Sequence, residues 1–445
     1  MPGAEKKVKK ALRLSVLEGS FWSVMAGFAE FYIQAFAVFL KATNMQLGLI
    51  SGLPTFLGAL SQVFSAKLVK FFGTKRRFVS LAALIQAHIW IPILLVAYMN
   101  VSNPASLLIV LFSIYFVCGS IGVPAWSSWM AELVNISSRG TYFGSRNKIT
   151  GFVSFFSYIL GGIVLHYSEL FMGSPLLGFS ALMVLGYFAR VASSFMLSRQ
   201  YEPTVQFTEE KINFADFLSH LTKENYGYLT LFLVLMNFCV FIAAPYFVAY
   251  MLKDLQLSYL MFMALNAVAL IVKYIFMPIW GRMSDEYGTL KILALSSFLV
   301  PFVPVLWIFS RNIFYLAGVQ FFSGFAWAGF ELGSFNFLLD TANPNKRIQY
   351  ISYYNVLNGL FVLLGSLFGG LLLKFNNFAF SKYYVVFFVS GMLRYAVTFV
   401  LLPKLKEVRP VAEVKYQHML FRMALMFPSM GVRHHIFAAS KKHKL

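Results

Sequence analysis

The chain has 445 residues, of which 59% are hydrophobic and 12% are charged, and its mean hydropathy is +0.70. A soluble domain is only about 45–50% apolar, so this composition excludes an ordinary soluble protein and indicates membrane spans. The formal net charge of +20 would suit a nucleic-acid partner, but the basic residues are distributed as in a membrane protein, which excludes that class.

Twelve apolar runs are long enough to cross a bilayer, because about 20 helical residues span the hydrocarbon. We predict spans at residues 20–41, 46–69, 78–99, 106–134, 147–167, 176–197, 226–252, 258–280, 292–310, 313–339, 348–373 and 383–403. If the N-terminus is inside, most of the 37 Lys and Arg residues lie in the even-numbered connections and the two tails. Positive residues remain on the cytoplasmic side of membrane proteins, so we predict a plasma-membrane protein with both termini in the cytoplasm.

A pattern of seven residues occurs twice, and each residue lies 208 positions before its counterpart (340 minus 132). The first copy is Glu132, Arg139, Tyr142, Asn147, Gly151, Gly161 and Gly162, and the second is Asp340, Arg347, Tyr350, Asn355, Gly359, Gly369 and Gly370. Such a repeat indicates that one set of six spans is a copy of the other. We therefore predict a cytoplasmic segment at 1–19, six-helix bundles at 20–197 and 226–403, a cytoplasmic linker at 198–225 and a basic tail at 404–445.

The first predicted span has one face that is polar or small along its whole length. A charged residue at the centre of a bilayer costs about 2.5–3.5 kcal/mol, so Glu30 must face protein or water. The face predicts that Glu30 and Gln34 line a cavity, although a buried, protonated Glu30 that only packs between helices would fit the same pattern. The residues at spacings of three and four are Ser23, Gly27, Glu30, Gln34, Ala37 and Lys41.

The linker and the tail carry weaker patterns. Phe214, Phe217, Leu218 and Leu221 have helical spacing, which predicts a short amphipathic helix on the cytoplasmic face. The segment 416–427 is apolar with basic flanks, which predicts a helix in the lipid headgroup region. Three histidines, His434, His435 and His443, have no acid or cysteine at suitable spacing, so we predict neither a metal site nor a cofactor.

The second half contains another set of intramembrane polar residues. Lys273 interrupts the eighth span, with Asn266 seven residues earlier on the same helical face. The tenth span carries Trp327 and Glu331 four residues apart on a similar polar face. A paired ion costs less in lipid than two lone ions, so we hypothesise that Lys273 and Glu331 are partners. All four residues are predicted to line the cavity.

The order of the elements and one connecting sequence resemble those of the major facilitator superfamily of secondary transporters. The resemblance covers residues 15 to 403, with two parallel sets of six spans joined by a cytoplasmic linker. The loop signature of the family is Gly-x3-Asp-(Arg/Lys)-x-Gly-x2-(Arg/Lys), and the first copy retains only Gly73 and Arg76 of it. In the second copy, between the eighth and ninth spans, it matches at Gly281, Asp285, Gly288 and Lys291, with Glu286 in place of the usual cation.

The resemblance implies an all-α polytopic membrane protein whose two six-helix bundles are related by a pseudo-twofold axis and rock around a midplane site. Its loop implies a cytoplasmic latch that is formed in the outward-open state. In this hypothesis Asp285 and Asp340 hold Arg347, while Gly281 and Gly288 allow close helix approach and a tight turn. The first copy would use Glu132 and Arg139 with a different charge order. The alternative is that these charges permanently cap helices.

No phosphate-binding loop of an ATPase occurs, so we predict that an ion gradient drives the protein. We interpret the chain as a monomeric, proton-coupled symporter of a small organic solute, with Glu30 and Glu331 as proton carriers and the lipid bilayer as its environment. Lys273 would neutralise Glu331 or bind an anionic substrate. Two alternatives remain: a lipid or amphiphile flippase, and a non-transporting receptor or scaffold. No convergent catalytic set indicates an enzyme.

Overall fold

The computed structural model describes residues 2–134, 139–203, 214–341, 347–375 and 381–408. All regular elements in these ranges are helical, and twelve helical segments are long and apolar enough to cross a membrane, which confirms the predicted fold class. Spans 1 to 6 form the first half and spans 7 to 12 the second half. In chain order they are Lys6–Phe39, Asn44–Phe72, Lys75–Leu95, Pro104–Leu133, Ser145–Met172, Leu176–Arg199, Asn225–Asp254, Tyr259–Tyr287, Thr289–Leu306, Ile313–Leu338, Tyr350–Phe375 and Lys382–Lys404.

Several spans consist of more than one helix, because prolines or short turns of tighter or wider helix interrupt them. The predicted interfacial helix at 416–427 and the three histidines lie outside the described residues. The α-helices are Pro2–Phe28, Ile33–Phe39, Asn44–Ser61, Ser65–Phe72, Lys75–Leu95, Pro104–Ser120, Val123–Leu133, Arg139–Met172, Leu176–Arg199, Phe214–Ser219, Asn225–Ala249, Tyr259–Tyr287, Thr289–Leu299, Phe302–Leu306, Ile313–Thr341, Arg347–Phe375 and Lys382–Leu401.

Span 1 differs from the sequence prediction in both its start and its continuity. Its helix begins at Pro2, well before the predicted start at residue 20, and a 3-10 turn at Glu30–Tyr32 interrupts it. The turn changes the helical phase, so the predicted single polar face is wrong. Glu30 contacts Tyr115 of span 4, whereas Gln34 contacts Ser51 of span 2.

The glycine pair of the first repeat accommodates a tyrosine ring next to this turn. The Tyr32 hydroxyl donates to the Tyr158 carbonyl oxygen at 2.5 Å. A Cβ atom at Gly161 would lie 2.6 Å from the Tyr32 ring, and one at Gly162 would lie 3.0 Å from its hydroxyl oxygen. Only glycine leaves room for the ring, so span 1 and span 5 pack closely at this point.

The second half repeats this arrangement at the equivalent positions. The Tyr246 hydroxyl donates to the Ser366 carbonyl oxygen at 2.5 Å, and residue 366 is the repeat counterpart of residue 158. Cβ atoms at Gly369 and Gly370 would lie 2.6 Å from the Tyr246 ring and 2.9 Å from its hydroxyl oxygen. The repeated glycine pair therefore has one structural role in both halves.

The two halves contact each other most extensively along two pairs of spans, 2 with 11 and 5 with 8. Repeat glycines lie in both contacts. Gly359 of span 11 lies against Phe56 of span 2, where an added Cβ would be 3.0 Å from the Phe56 Cα atom. Gly151 of span 5 lies opposite Tyr274 of span 8, where an added Cβ atom would be 3.7 Å from the Tyr274 hydroxyl oxygen. The two interfaces are therefore related to each other in the same way as the two copies of the repeat.

Among the described residues, the large hydrophobic cluster that includes both halves lies on one side of the molecule. We call the side of the N-terminus the inner side and the opposite side the outer side. Around the outer connections one hydrophobic cluster contains buried residues of both halves, including Phe36 and Tyr246, and Lys253 donates to the Ala42 carbonyl oxygen at 2.6 Å. Towards the inner side, the clusters around Trp129 and Phe330 each contain described residues of one half. Within the part of the chain that the structure describes, the buried apolar clusters are therefore shared by the halves at the outer side and separate at the inner side.

The predicted amphipathic helix in the linker is present as Phe214–Ser219. Phe217 is only 3% exposed and lies 5.7 Å from the Tyr350 ring and 5.4 Å from the Tyr353 ring, between ring centroids. The apolar face of this helix therefore packs against span 11 of the second half rather than facing the lipid.

We predict that Gly369→Val destabilises the protein, because the new side chain would overlap the Ile242 carbonyl oxygen and the Tyr246 ring. Overpacking of this kind costs about 1–3 kcal/mol, and we expect a lower thermal unfolding midpoint in detergent. Gly318→Val is the matched control, since nothing lies within 4 Å of a Cβ atom there. Equal thermal unfolding midpoints for the two variants would contradict the close packing of span 7 against Gly369.

Candidate functional site

A cavity of about 420 Å³ lies between the two halves, which we call the central cavity. Most of its wall comes from spans 8 and 10, and span 1 and span 5 contribute one aromatic residue each. Four of the residues predicted from sequence, Asn266, Lys273, Trp327 and Glu331, lie together in this wall. The lining residues are Phe31, Tyr158, Val248, Phe262, Asn266, Ala269, Leu270, Lys273, Ser323, Gly324, Trp327 and Glu331.

Lys273 and Glu331 form an ion pair in this wall, as the sequence hypothesis proposed. The Lys273 Nζ atom lies 3.1 and 3.2 Å from the two carboxylate oxygens of Glu331. The side chains are 22% and 44% exposed, so both remain open to the cavity. Such a solvated pair contributes at most about 1 kcal/mol to stability, which means that folding alone does not explain its presence within the spans.

Two other predicted residues, Glu30 and Gln34, do not line the central cavity. Gln34 donates to Ser51 Oγ at 2.6 Å and to the Leu47 carbonyl oxygen at 3.4 Å, so it joins span 1 to span 2. Glu30 accepts a hydrogen bond from the Tyr115 hydroxyl at 2.8 Å and lines a different cavity. The 3-10 turn at Glu30–Tyr32 separates these two positions and changes the helical phase, so Glu30 and Gln34 no longer share one face.

The cavity that Glu30 lines lies inside the first half, and we call it the first-half cavity. Its volume is about 330 Å³, and spans 1, 3, 4, 5 and 6 form its wall. Its charged residues are two glutamates and two arginines, of which the sequence analysis proposed only Glu30. The lining residues are Glu18, Trp22, Glu30, Val79, Ala82, Ala83, Gln86, Tyr115, Phe116, Cys118, Gly119, Ser120, Gly122, Val123, Trp126, Arg146, Arg190 and Leu197.

Both arginines of the first-half cavity share one carboxylate, that of Glu18. Arg146 lies 3.3 Å from Glu18 Oε2, and its guanidinium group lies 4.8 Å from the Trp126 ring centroid. Arg190 lies 3.8 Å from Glu18 Oε1 and donates to Gln86 Oε1 at 2.7 Å. Buried charges need such partners, because an isolated one would be too costly in a low-dielectric interior.

The repeat contains a signal that could have revealed Arg146. Arg190 recurs as Arg394, 204 positions later (394 minus 190), but the counterpart of Arg146 at 208 positions is Tyr354. The charge at residue 146 is therefore specific to the first half. Within a repeat, a position where the copies differ in charge is a candidate for function rather than packing.

The residues of the predicted latch make contacts within each half. Glu132 contacts Lys75, and Asp340 accepts a hydrogen bond from Thr289 Oγ1 at 3.0 Å. The side chains of Arg139 and Arg347 lie outside the described residues.

The helix that carries Asp285 lies at the boundary between the two halves. Span 8, which carries Asp285, packs against the helix that begins at Arg139. The helix that begins at Arg347 packs against span 2 instead. The contact of Asp285 with Arg347 stays a prediction, because the side chain of Arg347 lies outside the described residues.

The two signature glycines behave differently. Gly288 has a φ of +98°, a conformation that glycine adopts without strain, so the predicted tight turn is present. At Gly281 an added Cβ atom would meet only Leu332 at 3.7 Å, which is ordinary van der Waals contact. The close helix approach predicted at Gly281 is absent among the described residues in this conformation.

We predict that the Lys273 and Glu331 pair adds little to stability. In a double-mutant cycle with Lys273→Met, Glu331→Gln and the double variant, the coupling energy should stay below about 1 kcal/mol, because water screens the pair. The unfolding free energy of the purified protein in detergent is the measurement. A coupling energy of about 3 kcal/mol or more would instead indicate a buried structural ion pair.

Comparisons with known proteins agree with this architecture. Residues 229–432 match the family model described as Major Facilitator Superfamily. No curated protein sequence matches the chain. Among solved structures, the nucleoside transporter NupG is similar, with a TM-score of 0.67 at 13% identity over 90% of this chain and 100% of that chain.

Two further transporters have similar structures. A bacterial homologue of the iron transporter ferroportin in its inward-facing state gives a TM-score of 0.65 at 14% identity over 90% of this chain and 98% of that chain. A bacterial homologue of ferroportin in its outward-facing state with soaked iron gives a TM-score of 0.56 at 14% identity over 89% of this chain and 98% of that chain.

The xylose transporter XylE from E. coli, in a partially occluded inward open conformation, gives a TM-score of 0.62 at 11% identity over 92% of this chain and all of that chain. At these identities the structures show a shared fold, and the family model adds the sequence relationship. Residues 229–432 are therefore similar in sequence to the Major Facilitator Superfamily, and the fold of the described chain is similar to that of the transporters NupG and XylE.

Proposed function

We propose that the protein is a secondary active transporter that moves a small organic solute through the central cavity by alternating access, in symport with protons. The observation that carries this proposal is the ion pair between Lys273 and Glu331 in the wall of a cavity between the two halves. Charges within spans are costly and usually mark the pathway of a substrate or ion.

The ion pair supplies a simple coupling chemistry. A proton on Glu331 removes its negative charge and with it most of the attraction to Lys273. Lys273 is then available to an anionic or hydrogen-bonding group of the substrate in the same wall. Glu30 is a second candidate proton carrier, acting from the first-half cavity rather than from the central cavity.

Two observations support an inward-facing conformation for this structure. The outer side is closed by one cluster that includes both halves, whereas the described inner clusters belong to single halves. A bacterial ferroportin homologue in the inward-facing state is also more similar than one in the outward-facing state, with TM-scores of 0.65 and 0.56. Rocking of the halves about the two span pairs would expose the central cavity to the other side.

The wall of the central cavity favours an organic solute over an inorganic ion. Four aromatic residues, Phe31, Tyr158, Phe262 and Trp327, surround the ion pair. Apolar and aromatic walls with a few convergent polar groups are typical of sites for organic ligands. Similar structures include a nucleoside transporter and a xylose transporter, which fits this class of solute. We place the protein in the plasma membrane as a monomer with both termini in the cytoplasm.

We predict that Glu331→Gln abolishes proton movement driven by substrate, because a glutamine cannot release a proton. Purified protein in liposomes with an internal pH dye would be screened against pools of small organic solutes. We expect internal acidification with the native chain and at least a tenfold lower rate with Glu331→Gln, since removal of a positioned proton carrier typically costs about 10²–10⁴-fold.

Asp254→Asn is the control for this experiment, because Asp254 pairs with Arg311 of the same half and lies outside both cavities. The proposed coupling would be wrong if Glu331→Gln moved protons at the native rate. Solute movement without proton movement would indicate a uniporter. Movement of labelled lipids alone would favour a flippase, and no movement of any solute would favour a receptor or scaffold.

We predict that Asp285→Asn weakens the proposed inner latch and increases the population that is open to the inner side. In a background without Cys118 and Cys239, a cysteine in place of Ser334 of span 10 should then react faster with a water-soluble maleimide added to the inner side. The reason is that the amide carries no charge to hold the opposite half. An unchanged rate of maleimide labelling would contradict the proposed latch.

A further inference from the structure

The first-half cavity has more positive than negative charge whenever Glu30 is protonated. Arg146 and Arg190 carry two positive charges, and Glu18 is the one carboxylate within 4 Å of them among the described residues. The Tyr115 hydroxyl donates to Glu30 at 2.8 Å, and Arg190 acts on Glu30 through space. A neutral Glu30 therefore leaves one excess positive charge in a cavity within the membrane.

Each arginine also retains unused hydrogen-bonding capacity. Arg146 donates through Nε and Nη2, and Arg190 through Nε and Nη1. The remaining terminal nitrogen of each guanidinium group has no partner among the described residues. A guanidinium group is planar and has several fixed donors, which is the geometry that recognises carboxylates.

The first-half cavity is not a requirement of the six-helix architecture. The second half builds the same bundle with Tyr354 at the position that corresponds to Arg146. Arg394, the counterpart of Arg190, is 2% exposed and donates to the carbonyl oxygens of Val300 and Val240, at 3.2 and 3.5 Å. The equivalent bundle therefore forms without a cluster of two arginines around one glutamate, and the first-half cluster needs another explanation.

The remaining wall of the cavity is apolar and aromatic. Trp22, Phe116, Val79 and Val123 lie around the charged groups, and Trp126 stacks beside Arg146. The volume of about 330 Å³ is at the lower end of the range for pockets that bind small organic ligands, which is about 300–1,000 Å³. Charged donors beside apolar surface suit a ligand with one anionic end and an apolar body.

We propose that the first-half cavity binds the carboxylate group of a small organic anion through Arg146 and Arg190, and that a proton on Glu30 strengthens this binding. The groups that act on Glu30 are Tyr115 from span 4 and Arg190 from span 6, while Glu18 of its own span and Arg146 of span 5 line the same cavity. The anion and the proton then bind together, because each reduces the charge imbalance that the other creates. This inference rests on the proposed transport function only for the movement of the bound anion.

The test is direct binding of radiolabelled benzoate to the full-length protein in lipid nanodiscs, with unlabelled benzamide as the neutral analogue. We expect benzoate, but not benzamide, to bind and to compete. Arg146→Tyr, which introduces the residue of the second half, and Arg190→Lys should each weaken benzoate binding about tenfold or more. Arg394→Lys is the matched control and should bind as the native chain does.

The pH dependence and a second anion complete the test. Benzoate remains ionised at both pH 6 and pH 8, so tighter binding at pH 6 would report protonation of the protein, and Glu30→Gln should remove the difference. Native-like binding by both arginine variants, each checked by its elution volume and thermal melting, would overturn the site. Inorganic phosphate that displaces benzoate equally well would overturn the assignment to an organic carboxylate, and a pH effect that survives Glu30→Gln would overturn the coupling.

This experiment also separates the site from the proposed function. Benzoate binding that depends on Arg146 and Arg190, without any proton movement in liposomes, would support the site and contradict proton-coupled transport. Proton-coupled transport that persists while both arginine variants bind benzoate normally would contradict the site and leave the proposed function in place.

Discussion

The cost of a charge in hydrocarbon is the constraint on which this structure depends. A lone ion inside the bilayer costs several kcal/mol, so each one must meet a counter-ion, a carbonyl oxygen or water. The chain uses all three solutions. Lys273 and Glu331 pair beside a cavity, Arg146 and Arg190 share Glu18, and Arg394 donates to two carbonyl oxygens. One of these oxygens belongs to Val300, and Pro304, four residues later, has no N–H group to donate to it.

The two halves have the same packing but different chemistry. In both, a tyrosine of the first helix fits against a glycine pair of the fifth helix and donates to a carbonyl oxygen at 2.5 Å. The charges do not follow this symmetry, because the first half has its charged cluster inside the bundle and the second half has its ion pair at the boundary between the halves. A duplicated scaffold has thus kept its helix contacts while its polar sites diverged.

Much of the fold was predictable from sequence because length, hydropathy and an ungapped repeat report directly on helices in a membrane. The Lys273 and Glu331 pair was also accessible, since a charge on a neighbouring inner helix has few possible partners. The cavity that Glu30 lines could not be predicted from sequence, because the 3-10 turn at Glu30–Tyr32 contains no proline or glycine that would indicate it. The turn accompanies the fit of Tyr32 against Gly161, a contact between residues far apart in the chain. For Arg146 the repeat marks the position, because its counterpart is Tyr354, but its partners depend on tertiary neighbours.

The central claim is that the intramembrane ion pair faces a watery chamber between the halves rather than lipid. Two consecutive residues of span 8 test it most directly, because Leu270 lines the central cavity and Ile271 is 42% exposed on another face of the helix. The measurement is the reaction of single cysteines at these positions with a charged, membrane-impermeant thiol reagent. The account predicts that Leu270→Cys reacts from the inner side and Ile271→Cys does not. Reaction of neither cysteine, with Leu270→Cys modified only by a lipid-soluble maleimide, would contradict it.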